Sequence, residues 1–160
     1  MSFYCIKKTM TTMVLPSLLA GLSALVLQKK QLQKLDSFQK KIWRRVFGLH
    51  KNAPINMILW ISGMPSPTIL WELQVLSLFW NVWTIPSPCR ELCRKILENK
   101  PKGTYWINQV THIMAKYEMA HPIVWLGSNP PTKSAWKNYC KERVMKINNN
   151  LMKAESWWIY

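Results

Sequence analysis

Residues Leu27–Pro67 read LQKKQLQKLDSFQKKIWRRVFGLHKNAPINMILWISGMPSP, and the punctuation of that run decides the fold class. Leu32, Leu35, Phe38, Ile42 and Val46 recur at spacings of three and four, which is one stripe of an α-helix. Trp43 and Phe47 widen the stripe, while Lys30, Lys34, Lys40, Lys41, Arg44 and Arg45 mostly fall off it. Gly48 supplies the left-handed residue that ends a helix, and basic residues in the last turn complement the helix dipole. Asn52 or Ala53 before Pro54 then opens a short helix, because proline suits the first helical position. Ile55, Ile58 and Leu59 make its apolar side, and Gly63 stops it.

The same logic carries outward along the chain. Ser66-Pro67 starts a third helix whose Ile69, Leu70, Leu73, Leu76, Phe79, Trp80 and Trp83 make it heavily apolar, hence central. It breaks at Pro86-Ser87-Pro88, where Ser87 caps a fourth helix with Cys89, Leu92, Cys93, Ile96 and Leu97 on one face. Asn99 to Gly103 is a turn, and Tyr105 to Met119 is helical on the stripe Trp106, Val110, Ile113, Tyr117. His121-Pro122 breaks that helix, a loop starts at Gly127, and Ser134 caps a final helix carrying Trp136, Tyr139, Val144 and Ile147. Asn148, Asn149 and Asn150 weaken this helix ahead of Trp157-Trp158. No alternation of useful length argues for a strand, so the expectation is an all-α, irregular helical bundle of about five to seven helices. Three regions are expected: an apolar segment or connector over 1–27, the basic helix with its apolar successors over 28–85, and a helical region over 86–160 that carries no assignment.

The 160 residues suit one compact domain, and their 49% apolar content is enough for a sizeable core. The 22 Lys and Arg against 7 Asp and Glu leave a net charge of +15. That excess suits a polyanion, either nucleic acid or an acidic membrane face, although a solvated surface carries such charges too. The 10 Trp are mostly interleaved with Leu, Ile and Val, which favours core over base stacking. Four irregularly spaced cysteines (Cys5, Cys89, Cys93, Cys140) make no disulfide framework and suit reduced thiols in the nucleus or cytoplasm. Lys7-Lys8 ahead of the apolar run Met13 to Leu27 imitates a signal peptide or anchor, and a small basic membrane-associated or secreted helical protein is the alternative that follows. The run is short for a span, and a buried helix or connector is the favoured expectation.

Chemistry has few places to live in this chain. Cys89 and Cys93 lie one helical turn apart and with His112 and His121 form a weak zinc candidate, but the spacing matches no finger. Small cysteines on an apolar face are the simpler expectation. There is no Gly-x-Ser-x-Gly elbow and no phosphate-cradling glycine loop, and no cofactor is expected.

Leu18-Leu19-Ala20-Gly21, Leu32 to Leu49 and Pro54 to Pro65 together resemble the stretch just after the catalytic core of non-long-terminal-repeat (LINE-type) retrotransposon reverse transcriptases. The closest correspondence is in Leu35-Asp36-Ser37-Phe38-Gln39, in Trp43-Arg44-Arg45-Val46-Phe47-Gly48-Leu49 and in Gly63-Met64-Pro65; Trp71-Glu72-Leu73 to Phe79-Trp80 resembles the family's next helix. Ala20 stands where the family usually has tyrosine, and the resemblance covers residues 14–85. A polymerase of that family needs paired aspartates holding two metals about 4 Å apart. This chain has one aspartate, Asp36, and six scattered glutamates, so an inactive fragment is expected, not an enzyme. The resemblance also implies a neighbourhood of template and primer. Lys30, Lys34, Lys40, Lys41, Arg44, Arg45 and Lys51 are the expected contacts to an RNA or DNA backbone. Without its parent core the bundle would be incomplete, with exposed Trp-rich apolar surface and a tendency to self-associate.

Overall fold

The computed structural model describes residues 3–53, 62–100 and 102–156, with side chains through residue 149. The helix expected over Pro54 to Gly63 and the Trp157-Trp158 pair therefore lie, wholly or largely, outside the described residues. What is described is all-α. The helices are α1 (Phe3–Thr9), α2 (Leu15–Leu19), α3 (Lys29–Val46), α4 (Pro67–Thr84), α5 (Pro88–Asn99), α6 (Trp106–Lys116), α7 (Pro122–Leu126) and α8 (Lys133–Ser156). A π-helical turn, Met10–Val14, joins α1 to α2, and with that run counted once there are seven helices among the described residues. The chain divides into two compact units, Met1–Trp71 and Glu72–Tyr160, the division falling inside α4.

In the first unit, the π turn has a local cause. Pro16 has no N–H to give to a carbonyl one turn back, and its ring would crowd that turn. Widening the turn relieves both, with the Leu15 N–H reaching the Met10 carbonyl. The run ends before Gly21, whose φ of 75° only glycine adopts readily. Met13 to Leu27 is thus helix, turn and extended chain in succession. Among the described residues, no helix is long and apolar enough to cross a membrane. Met10, Leu15, Trp43 and Met64 form the buried centre of the unit, with Ile42 and Val46 of α3 and Phe47 just beyond its end packed against them.

Helix α3 ends as its sequence predicts. Gly48 has φ +62°, the Gly48 N–H bonds to the Arg45 carbonyl, and the Leu49 N–H reaches back to the Arg44 carbonyl at 2.9 Å. This is a Schellman stop, which satisfies carbonyls that the helix end would otherwise leave open. The two halves of the opening stretch are tied together by two side chains of α3. Gln39 donates through Nε2 to the Pro65 carbonyl at 3.1 Å, and Asp36 Oδ1 accepts the Thr68 N–H at 3.1 Å. Ser66 Oγ accepts the Ile69 N–H at 3.3 Å, so the first turn of α4 is capped both by its own serine and by Asp36 of α3.

The second unit is organised by buried or half-buried tryptophans whose ring nitrogens are hydrogen-bonded. Trp136 donates to the Leu76 carbonyl at 2.8 Å, Trp80 to Pro131 at 3.0 Å and Trp83 to Ser128 at 3.0 Å. The last two bonds pin the irregular chain between α7 and α8 onto α4. Phe79, Trp83, Trp125, Trp136 and Tyr139 meet at ring-centroid distances of 5.3 to 6.4 Å. Glu72 is also buried, but not alone: Lys116 Nζ lies 2.7 and 3.0 Å from its two oxygens, and the Tyr117 hydroxyl donates to it. A buried carboxylate paired and bonded in this way avoids most of the penalty of an isolated one.

Three boundaries differ from the sequence expectation. Helix α6 stops at Lys116, not Met119, because Glu118 takes φ +53° and turns the chain without a glycine to announce it. His121-Pro122 starts a helix instead of only ending one: Pro122 occupies the first turn of α7 and His121 Nδ1 accepts the Ile123 N–H at 3.3 Å. Thr132, not Ser134, caps α8, with Oγ1 accepting the Ala135 N–H at 3.3 Å. That helix then runs through Asn148 to Asn150 and on to Ser156.

Candidate nucleic-acid interface

At 100° per residue, Lys30, Lys34, Lys41 and Arg45 fall within about 60° of one another on α3, on the side opposite Trp43. All four are exposed, whereas Trp43 has no exposed surface at all. The apolar face of α3 is spent on the core, and its back is a cationic stripe about 22 Å long. The one acid of the helix, Asp36, projects within about 20° of the Trp43 direction and is engaged with the first turn of α4. The two ion pairs among the described residues, Arg94–Glu98 and Lys116–Glu72, involve no residue of α3. Among the described residues, then, no ion pair neutralises the stripe.

The other expected contacts are placed differently. Lys51 is exposed in the turn after α3, close in sequence to the Arg45 end of the stripe. Lys40 is half-buried at the edge of the helix. Arg44 is committed to structure: its Nη2 donates to the Ala53 carbonyl at 2.8 Å, which clamps the turn that follows Gly48. The stripe and Lys51 are thus the freely presented cations, with Lys40 and Arg44 behind them. His50 belongs to the same turn, accepting the Asn52 N–H on Nδ1 at 3.3 Å.

No family model matches this chain, and no curated protein or solved structure matches it. The geometry stands on its own residues.

Cys89, Cys93, His112 and His121 are not brought together as a metal site, and no group of three metal-ligating side chains occurs among the described residues. His121 is used as a helix cap, Cys89 and His112 face solvent, and Cys93 is half-buried. Burial and the neighbouring Cys89 thiol push the Cys93 pKa up, away from the thiolate that zinc would need. Phe38 is the feature that periodicity misplaced. It belongs to the expected apolar stripe, yet it is 41% exposed and falls outside the packed cluster of the unit. Its wheel position, about 140° from Trp43, could have been read from sequence as the outer edge of the helix.

The expected Trp-rich apolar surface is also corrected among the described residues. The exposed large apolar side chains there are Phe3, Tyr4, Met13, Leu25, Phe38, Ile85, Leu92, Ile123 and Val124, with no tryptophan among them. Trp43, Trp71, Trp83 and Trp136 are all at most 1% exposed.

Proposed function

We propose that this chain is a catalytically inactive segment related to the region beyond the core of LINE-type reverse transcriptases, and that its outer α3 face binds nucleic-acid backbone without sequence preference. The observation that carries the proposal is the sorting of charge on α3. Lys30, Lys34, Lys41 and Arg45 face outward with no acidic partner among the described residues, while Asp36 is turned inward to cap α4. Cations on one helix face neutralise phosphates and release condensed counterions, so affinity follows charge and falls steeply with salt. Asp36, the single aspartate, has a structural task, and Glu72 is held by Lys116 and Tyr117. Neither carboxylate forms the acidic pair that two-metal phosphoryl transfer requires.

The resemblance supports the same conclusion from another side. Two of its matching pieces, Leu35 to Gln39 and Gly63 to Pro65, meet through the Gln39–Pro65 bond, and Met64 packs in the cluster that contains Trp43. The test is a titration of labelled DNA and RNA at two salt concentrations. Four neutralised phosphates predict a loss in affinity of about fiftyfold for a single strand and about 150-fold for duplex between ~50 and ~200 mM salt. Absence of binding at the lower salt would leave the stripe an ordinary solvated face and end the proposal.

A further inference from the structure

Phe38 stands at the edge of the basic stripe, about 20° beyond Arg45 on the helix wheel. It is one helical turn from both Lys34 and Lys41 and two turns from Arg45, and all three cations are exposed along the same side of it. A large apolar side chain at 41% exposure is an ordinary sight on a protein surface, but one flanked along one side by exposed cations has a chemistry of its own. We propose that this face takes single-stranded nucleic acid in preference to duplex, with Phe38 as the platform for one unstacked base and Lys34, Lys41 and Arg45 on the phosphates to either side. The inference rests on the backbone-binding role proposed above and adds the substrate class.

Duplex bases are stacked on one another and present no free face, so an aromatic ring on a convex helix gains nothing from them. A single strand exposes base faces, and stacking on an aromatic side chain is tolerant of sequence because every base has one. An acidic membrane surface would also attract the cations, but interfacial helices bury a broad apolar face among the lipids. Here that face of α3 is already closed over Met10, Leu15, Trp43 and Met64, and a lone phenylalanine is left outside.

The full-length chain is titrated by fluorescence anisotropy against labelled oligo(dT), oligo(U), an abasic strand and a duplex, each of about 15 nucleotides. Base-bearing strands are expected to bind about tenfold more tightly than the abasic strand of equal charge, with the DNA and RNA arms showing which sugar is preferred. Phe38→Ala is expected to erase that difference while leaving the slope of log affinity against log salt unchanged, and Phe38→Tyr to restore it. Lys34→Gln with Lys41→Gln should instead lower the slope for every probe. Equal binding of abasic and base-bearing strands, tighter binding of duplex, or an indifferent Phe38→Ala overturns the stacking inference alone. Failure of every probe at low salt overturns the backbone-binding role beneath it.

Discussion

Asp36 shows how much one side chain can decide. Its carboxylate accepts the Thr68 N–H at the start of α4, where a negative charge also meets the positive end of the helix dipole. Asp36→Ala should lower stability by about 1 kcal/mol in urea unfolding, with Asp36→Asn losing less because it keeps the acceptor. An unchanged midpoint in the alanine variant would remove the capping role. Gly48 is a second such position, for a backbone reason. A methyl group there would meet nothing within 4 Å, so only the φ of +62° penalises a side chain. Gly48→Ala should therefore destabilise by about 1 to 2 kcal/mol without any repacking, measured as a shifted urea midpoint at constant slope. Cys140 behaves oppositely to the surface thiols. Burial pushes its pKa up to about 12, whereas Cys5 and Cys89 are exposed. Iodoacetamide at neutral pH should label Cys5 and Cys89 and spare Cys140 until denaturant is added, as read by peptide mass mapping.

At the scale of elements, α3 was legible in nearly every respect that local physics controls. The spacing of Leu32, Leu35, Ile42 and Val46, the glycine stop and the proline entry to α4 are consequences of backbone geometry, and the chain carries them in its letters. What was not legible depends on partners distant in sequence. Nothing in Arg44 announces that it will hold Ala53 instead of facing solvent beside Arg45, and nothing in Asp36 announces that it caps a helix 32 residues on. The end of α6 was missed for a related reason: Glu118 adopts a left-handed conformation usually left to glycine or asparagine. His121 and Thr132 were missed because a histidine or threonine before a helix is only one of several caps the sequence offers. The division of labour in α3 predicts a separation of functions. Replacing Lys30, Lys34, Lys41 and Arg45 by glutamine should reduce the salt slope of nucleic-acid binding by about 3 to 4 for duplex and leave the helical circular dichroism intact. Replacing Arg44 should do the reverse, loosening the turn after Gly48 with little change in slope.

For the whole molecule, the charge balance and the buried hydroxyl of Tyr117 pull stability in different directions as conditions change. A net charge of +15 repels itself at low ionic strength, so added salt should raise the melting temperature even as it weakens nucleic-acid binding. Alkali works on a narrower target. Burial first, and then the charge and hydrogen bond of Glu72, hold the Tyr117 pKa well above its ordinary 10.0. The unfolded chain therefore releases this proton near pH 10 while the folded one keeps it, so the unfolded state binds fewer protons and stability falls as pH rises beyond that point. Cys140, raised from 9.0 to about 12, adds a loss of the same sign that begins near pH 9. The wild-type curve sums every alkaline contribution, so alone it would not isolate the tyrosine. Tyr117→Phe does, because it leaves every other group in place and removes the one proton at issue. At neutral pH that variant should be less stable, since Glu72 keeps Lys116 but loses the hydroxyl that donates to it. Above about pH 10 the gap between variant and wild type should close, because only the wild type goes on losing stability through Tyr117. Urea midpoints followed from about pH 8 to about pH 11 give the answer, and parallel curves would mean that the buried bond between Tyr117 and Glu72 contributes nothing to the alkaline limit of the fold.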